Sequence, residues 1–407
     1  MEQAMDAFVK HVQATKVIDL ARLEQIFQQH GYREEPDGDE EHILVLRLDE
    51  IGDTILTSAF LRELRRNYPN AWITLVVRDS IYPIAELCPY ANEVLALHSW
   101  KNDVPLAARI SGFVEFCKKY LWKHHYSKCF CPRWDVDIQF SLMLGYLSGA
   151  RRRIGYSENV YPQKAVKDRG WNAALTDVVV NPPYIVHEAE RSLFLLKATG
   201  HVVRDDSMEV WLGEGDRKRA EYFLNGKPEG YRLIAVTIGS REQHKSYPPE
   251  LMTKALNLLV PKGCCFALLG GPEDAETGEQ IRAALPDGIS LNLVGKTSIR
   301  ESCAVISMSS LLIGNDTGLT HAAAALHVPI VELNCHAYNT PLFTWSFYVR
   351  FFPWQSRCIV LRPAQALEGC EKPEDVTSQV KGCCSNEAHC IRGISPERIV
   401  DAVERLL

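Results

Sequence analysis

The stretch LLIGNDTGLTHAAAALHVPIVELN, residues 311–334, carries the clearest fold signal in the chain. The apolar run at 311–313 is typical of a buried strand, and the turn-forming residues 314–316 end it. Alanine-rich sequence that favours a helix follows, and residues 328–333 form a second apolar run. A strand, a tight turn, a helix and a strand in this order predict a βαβ unit of a parallel sheet.

The turn after the first of these strands has the chemistry of a phosphate site. A helix that begins near Asp316, Thr317 and Gly318 would direct free N–H groups and the positive end of its dipole at a ligand. Gly318 permits close approach to the backbone, Thr317 supplies a hydroxyl, and His321 follows one turn later. The pattern leaves an alternative open, in which Asp316 only caps the helix and His321 is only a half-buried helix residue.

Length and composition limit the classes to which the chain can belong. Its 407 residues are enough for two domains, and 46% apolar and 24% charged residues are ordinary for a globular protein. The net charge of −6 argues against nucleic acid as a partner. Apolar runs are shorter than the ~18 residues of a membrane span, and the first residues lack the apolar segment of a signal peptide. We therefore expect a cytoplasmic protein.

A second βαβ pattern lies closer to the start of the chain. Residues 42–48 form an apolar run, residues 54–68 have the spacing of an amphipathic helix, and residues 71–77 predict the next strand. Asp53 lies between the first strand and the helix, where a carboxylate can act as a cap. The same position faces the crevice in which open α/β sheets bind ligands. Capping and catalysis therefore remain alternative roles for Asp53.

The remaining sequence suggests how the chain divides. Apolar residues at helical spacing, followed by an acidic linker, predict a helical N-terminal extension over residues 1–41. We place a first Rossmann-like domain at 42–205. A second Rossmann-like domain, which ends in a Cys-rich tail, is placed at 206–393. Residues 394–407 predict a C-terminal helix.

Four segments resemble a known family. The segment ILVLRLDEIGDTILTSAFLRELRRNYPNAWITLVV, residues 43–77, resembles the opening of glycosyltransferase family 9, the ADP-heptose:lipopolysaccharide heptosyltransferases. Residues 311–334 are similar to the second family signature, D-T/S-G-x-x-H-x-A-A-A, and residues 151–156 and 187–200 resemble further family segments. The resemblance covers residues 42–400. It implies a GT-B fold, in which two Rossmann-like domains face each other across a cleft. In such a fold the domain at 42–205 would bind the acceptor, the domain at 206–393 would bind the nucleotide-sugar donor, and the helix at 394–407 would return to the first domain.

The resemblance also implies an activity and assigns residues to it. The chain would be an inverting glycosyltransferase that moves a sugar, heptose before others, from an ADP-sugar to an acceptor hydroxyl, with Asp53 as general base. Lys245 matches a family lysine that meets the phosphates of the donor. Glu273 would accept the ribose hydroxyls, and Thr297 would lie near the base. Without the family, a solvated loop lysine and a surface carboxylate are the alternatives for Lys245 and Glu273.

The family assigns the donor's diphosphate to the helix start at 316–318, together with Lys245 and His321. Transfer then needs no metal, because these protein groups take over the metal's role. The sequence at 135–137, Asp-Val-Asp, does spell a D-x-D motif of the kind that binds a metal. It overlaps a helix predicted over 136–147, and we interpret it as incidental.

Thirteen cysteines are many for a chain in a reducing compartment. Eight are scattered, mostly in apolar runs typical of small core residues, whereas five fall in the tail: Cys358, Cys370, Cys383, Cys384 and Cys390. Such clustering favours a metal site over disulfides, and four thiolates suit a tetrahedral, structural Zn or Fe ion. The tail loosely resembles the four-cysteine iron site of autotransporter heptosyltransferases. Their N-terminal β-barrel-like module does not match the helical pattern of the first 41 residues.

Three other functions remain open from the sequence. A sugar-nucleotide epimerase would turn over the donor without an acceptor, and a non-catalytic nucleotide-sugar-binding protein would bind the donor without transfer. The same transfer chemistry could also serve a protein hydroxyl or a small metabolite. The expected partners are a nucleotide-sugar donor and a saccharide or protein acceptor. Oligomer formation stays open, as does peripheral contact with the inner face of the inner membrane through a lipid-linked acceptor.

Overall fold

The computed structural model describes residues 1–34, 40–100, 104–340, 342, 346–368, 370 and 387–407. The chain separates into two compact units, Met1–Asp206 and Ser207–Leu407. Each unit is built on one parallel sheet of six strands with helices packed against it. The two Rossmann-like α/β units predicted from the sequence are therefore present. In the part of the chain that the structure describes, no helix is both long enough and apolar enough to cross a membrane.

The first unit has the strand order β3-β2-β1-β4-β5-β6. Its strands are β1 His42–Leu46, β2 Trp72–Arg78, β3 Glu93–Leu97, β4 Tyr126–Cys131, β5 Arg152–Tyr156 and β6 Asp177–Val179. Its helices are α1 Glu2–Thr15, α2 Leu20–Gln29, α3 Ile51–Leu56, α4 Ser58–Asn67, α5 Tyr82–Ala85, α6 Leu106–Phe116, α7 Ser141–Leu147, α8 Pro162–Lys167 and α9 Glu188–Ala198. The strand order reverses beside β1, and ligands bind at such a switch point in open α/β sheets.

The predicted N-terminal extension is helical and forms part of the core of the first unit. Met5, Phe8 and Phe27 on α1 and α2 are completely buried, in one cluster with the apolar residues of β1. Arg33, which follows α2, donates to the main-chain oxygen atoms of Tyr146 and Ala150 at 2.9 and 2.7 Å. Because burial of apolar area is the main stabilising contribution to folding, the extension belongs to the folded unit.

The helix predicted over residues 136–147 begins later than expected, at Ser141. The carboxylate of Asp137 accepts hydrogen bonds from the N–H groups of Ser141 and Leu142 at 2.9 and 2.8 Å. Asp137 thus satisfies donors that the first turn of a helix leaves free. This structural task agrees with the interpretation of the D-x-D motif as incidental.

The second unit has the strand order β12-β11-β10-β7-β8-β9. Its strands are β7 Arg232–Thr237, β8 Cys264–Leu269, β9 Ser290–Asn292, β10 Leu311–Asn315, β11 Ile330–Leu333 and β12 Cys358–Leu361. Its helices are α10 Glu214–Leu224, α11 Pro249–Leu259, α12 Ala275–Ala283, α13 Ile299–Ser307, α14 Gly318–Ala325, α15 Phe347–Phe351 and α16 Pro396–Leu406. The predicted βαβ unit is confirmed as β10-α14-β11, with Gly314 opposite Glu332 in the parallel pair.

The last helix packs on the second unit, so the prediction that it returns to the first domain is wrong. Ile399, Val403 and Leu406 of α16 lie in the second core cluster with Met252 and Leu256 of α11. The amphipathic pattern of α16 shows which face is buried, but it does not show which sheet covers that face. Here the neighbouring strands β11 and β12 and the helix α11 cover it.

Candidate active site

The carboxyl end of β10 brings together the residues predicted to bind phosphate. β10 ends at Asn315, Thr317 is the N-cap residue, and α14 runs from Gly318 through eight residues. A helix leaves the N–H groups of its first residues without partners inside the helix. The start of α14 therefore offers backbone donors and a partial positive charge to an anion.

Lys245 and Asp316 form an ion pair at this helix start. Lys245 Nζ donates to Asp316 Oδ2 at 3.1 Å and lies 3.5 Å from an oxygen of Glu242. Burial alone would lower the pKa of Lys245, but Asp316 and Glu242 outweigh it and raise that pKa. Burial would raise the pKa of Asp316, and Lys245 lowers it instead. Asp316 is thus charged and paired, and its side chain does not cap α14.

Asn315 holds the loop that carries Lys245. Its Oδ1 accepts from the N–H of Tyr247 at 3.0 Å, and its Nδ2 donates to the oxygen of Gly239 at 2.9 Å. Gly239 turns the chain after β7 with a φ of 74°, a region that favours glycine. Asn315 was not predicted as a site residue. An amide at the end of a buried apolar strand is the signal that could have found it.

His321 and Glu332 are buried polar residues of α14 and β11. His321 Nδ1 has no hydrogen-bond partner among the described residues, and burial lowers the pKa of its imidazole, so the ring is neutral near pH 7. Glu332 is 1% exposed, and its Oε1 accepts from Asn334 at 2.8 Å. Burial, and then the charge of Asp316, raise the pKa of Glu332 to about 8. Glu332 was not predicted as a site residue, although an acidic residue inside an apolar strand was a signal.

The two other predicted donor contacts lie on loops at the same edge of the sheet. Glu273 is exposed in the short turn after β8. Thr297 follows β9, and its hydroxyl bonds to Ser302 at 2.8 Å. The two loops are joined by a backbone hydrogen bond of 3.0 Å from Gly295 to Gly270. Glu273 and Thr297 therefore both lie near the carboxyl ends of the strands, where open sheets bind ligands.

Asp53 in the first unit is the third residue of α3, which begins three residues earlier than predicted. Its Oδ2 accepts from the N–H of Glu50 at 3.2 Å, and its Oδ1 accepts from Arg47 at 3.0 Å. Arg47 also lies 3.1 Å from Asp49, which pairs in turn with Arg133 after β4. Asp53 therefore caps α3, and a charged network holds its carboxylate.

The surroundings of Asp53 suit a group that accepts a proton. Burial raises the pKa of Asp53, Arg47 opposes this, and the charge of Glu188 adds to the increase. The side chain keeps 17% of its surface exposed. A carboxyl group whose pKa is above the usual value, and which another molecule can still reach, is suited to act as a general base. Capping does not exclude this role.

The structure describes only part of the predicted metal site in the tail. Cys383 and Cys384 lie outside the described residues. Cys370 and Cys390 lie together with His389, and the three ligand atoms are within 4.8 Å of one another. Cys358 lies in β12 opposite Ile330 and is not in this group. His389 was not predicted as a ligand, although its position directly before Cys390 was a signal.

Comparisons with known proteins agree with this architecture. The sequence model of glycosyltransferase family 9 (heptosyltransferase) matches residues 149–376. Lipooligosaccharide heptosyltransferase 2 of Haemophilus influenzae is 36% identical over 311 residues, which cover 72% of this chain and 82% of that protein.

Solved structures show the same fold. A family 9 glycosyltransferase from Veillonella parvula has a TM-score of 0.71 at 23% identity and covers 92% of this chain and 99% of that chain. The Escherichia coli heptosyltransferase WaaC with ADP has a TM-score of 0.62 at 17% identity and covers 90% and 100%. The predicted GT-B fold class is thereby confirmed, and the chain belongs to glycosyltransferase family 9 and is a glycosyltransferase.

Proposed function

We propose that this glycosyltransferase moves heptose from ADP-heptose to a hydroxyl of a lipopolysaccharide core saccharide, with inversion at the anomeric carbon. The observation that carries the proposal is the buried, ionised pair of Lys245 and Asp316 at the start of α14. The similar Haemophilus influenzae protein is named a heptosyltransferase, and the WaaC structure contains ADP. Both support the choice of sugar and nucleotide.

The diphosphate of the donor would bind at the start of α14. Lys245 Nζ has more than one donor hydrogen, so it can keep Asp316 as a partner and also meet a phosphate oxygen. The N–H groups at 317–319 would bind further oxygens. His321, neutral through burial, would donate one N–H. Together these groups stabilise the charge that appears on the diphosphate as it leaves, so the transfer needs no metal ion.

Asp53 would be the general base. The hydroxyl oxygen of the acceptor attacks the anomeric carbon while the bond from that carbon to the phosphate oxygen breaks. The hydroxyl proton passes to the carboxylate of Asp53, and the electron pair of the broken bond leaves with ADP. The raised pKa of Asp53 supports this role, because a base is most effective when its pKa approaches the working pH.

The adenosine part of the donor would lie along the carboxyl ends of β8 and β9. Glu273 would accept hydrogen bonds from the ribose hydroxyls, as carboxylates do beside many nucleotides. Thr297 would lie near the base. A lipid-linked core acceptor would bring the enzyme to the inner face of the inner membrane.

The test follows ADP release from ADP-heptose, with and without a lipopolysaccharide-core acceptor. Asp53→Asn should lower acceptor-dependent release by a factor of about 10²–10⁴, the usual contribution of a general base. Asp19→Asn is the matched control, since Asp19 also caps a helix of the first unit by accepting an N–H at 3.0 Å. Normal activity of Asp53→Asn would refute the base assignment.

The alternative functions give different results in the same assay. Donor turnover without acceptor would indicate an epimerase or a hydrolase. Donor binding without release, unchanged in Asp53→Asn, would indicate a nucleotide-sugar-binding protein. Release of ADP that requires a protein or a small metabolite in place of the saccharide would indicate the same transfer reaction with a different acceptor.

A further inference from the structure

A cluster of side chains that can bind a metal lies in the C-terminal tail and consists of Cys370, His389 and Cys390. None of these residues takes part in the proposed transfer reaction. Their three ligand atoms lie within 4.8 Å of one another, and the two cysteines are 8% and 4% exposed. We propose that these three side chains bind a divalent transition-metal ion, with Zn²⁺ as the ion that a thiolate, imidazole and thiolate set favours.

The distances agree with a shared tetrahedral ion. Bonds of about 2.3 Å to sulfur and about 2.0–2.1 Å to nitrogen, at a tetrahedral angle, place the two atoms roughly 3.5 Å apart. Nδ1 of His389 lies 3.5 Å from the sulfur of Cys370 and 3.5 Å from the sulfur of Cys390. One imidazole nitrogen is therefore equidistant from two sulfurs, at the separation that one ion between them requires.

A backbone hydrogen-bond donor faces one of the two sulfurs. The backbone N–H of Leu367 donates to the sulfur of Cys390 at 3.3 Å, and such a bond orients and stabilises a metal-bound sulfur. The pair Cys129 and Cys131 is a useful contrast, with sulfurs 4.0 Å apart. Hydrogen bonding to Cys129, and then burial, raise the pKa of Cys131 well above its usual value, so Cys131 stays protonated.

The proposed ligands differ from the all-cysteine set that the sequence suggests. His389 enters the site and Cys358 does not. Cys383 and Cys384 lie outside the described residues. Two thiolates would neutralise a divalent ion, so the site does not leave a net charge near the core.

The position of the cluster gives the metal a structural role. Cys390 begins the turn Cys390–Gly393, and the neighbouring Ile391 and Ile394 are completely buried. The hydroxyl of Tyr247 donates to the oxygen of Ile394 at 2.6 Å. Tyr247 follows Lys245 by two residues, so the metal would hold the segment against which the donor-binding loop rests. This consequence for the donor rests on the proposed function.

The test uses the full chain, purified without a histidine tag, with its metal content measured by plasma mass spectrometry. About one metal ion per chain is expected, and Co²⁺ added to stripped protein should give the intense visible absorption of a tetrahedral thiolate site. Cys370→Ser, Cys390→Ser and His389→Ala should each lose most of the metal and unfold at a lower temperature. His389→Cys should restore binding, because thiolate replaces imidazole as a ligand.

Cys358→Ser is the matched control, since it removes a tail cysteine outside the cluster and should keep the metal. Iron bound by the same three residues would support the site. Wild-type protein without metal, and without a Co²⁺ spectrum, would overturn the proposal, as would equal metal loss in Cys358→Ser. Binding is measured without any donor, so a failure of the transfer hypothesis leaves this result intact.

Discussion

Replacement of Lys245 by methionine tests the proposed donor site most directly. Methionine keeps an unbranched apolar side chain, so the change mainly removes the charge. At 3.1 Å and an effective dielectric constant of about 20, the attraction between Lys245 and Asp316 is roughly 5 kcal/mol, from which the desolvation of both ions must be subtracted. Since the side chains are only 15% and 12% exposed, we expect a loss of roughly 2–4 kcal/mol in the free energy of unfolding.

The effect on catalysis should exceed what this instability explains. Without Lys245, the carboxylate of Asp316 remains at the place that must accept a diphosphate. Loss of one preorganised donor to a developing anion costs a factor of about 10²–10³ in kcat. The double variant Lys245→Met/Asp316→Asn should recover most of the stability, because no unpaired charge remains, but it should not recover kcat.

The assay is steady-state ADP release, combined with urea denaturation of each variant. Lys262→Met is the matched control, because Lys262 is a lysine of the same unit paired with Glu404 on the surface. That variant should keep both activity and stability. If Lys245→Met stays within threefold of the wild-type kcat/KM while its stability falls, Lys245 is a structural residue and the assignment to the diphosphate fails.

Three further changes test the fold and its electrostatics. The pKa of Glu332 is raised to about 8 from 4.5, so the native state keeps the carboxyl proton at pH values at which the unfolded chain has lost it. The contribution of this group to the free energy of unfolding is therefore fully present below pH 4.5 and is lost as the pH rises to about 8. Glu332→Gln should therefore gain stability relative to wild type between pH 5 and 8, and the gain should grow with pH to roughly 4 kcal/mol near pH 8 by urea denaturation; a difference that does not change with pH would contradict a pKa raised by burial. A Cβ at Gly314 would meet the hydroxyl oxygen of Thr237 at 1.9 Å, so Gly314→Ala should cost about 1–3 kcal/mol and Thr237→Ala should restore part of the loss in a melting experiment. Phe8→Ala should cost about 3–5 kcal/mol because Phe8 is completely buried, whereas Val17→Ala, at a position 57% exposed, should cost little. Equal effects of the last two would mean that α1 does not fold with the first unit.

Local sequence patterns were sufficient to predict much of the fold. The β10-α14-β11 unit follows from two apolar runs that flank a helix-favouring segment, and each signal lies within a few residues of the next. The partner of α16 could not be predicted, because amphipathic spacing defines a buried face and leaves its partner open. The start of α7 was predicted too early. The carboxylate of Asp137, which lies before the helix, accepts hydrogen bonds from the N–H groups of the first two helical residues.

The candidate site could be predicted from local sequence patterns less completely than the fold. Lys245 and Asp316 were both predicted, but only tertiary structure brings residues 71 positions apart to 3.1 Å. Glu332 and His389 were missed because their roles depend on residues that are distant in sequence. Glu332 lies near the buried pair of Lys245 and Asp316. His389 lies beside the sulfurs of Cys370 and Cys390. Burial and pKa are properties of the folded surroundings, and residue type alone does not determine them.

The second unit prepares the proposed donor site before any donor is bound. The loop of Lys245 is fixed from one side by Asn315 at the end of β10 and from the other by Ile394 of the tail, through Tyr247. Preorganised charges contribute most to catalysis because no reorganisation is needed at the moment of reaction. The contacts that fix this loop should therefore affect donor binding and turnover as well as stability. The proposed function therefore requires the C-terminal segment to lie on the second unit, because only there can Ile394 support the loop that carries Lys245.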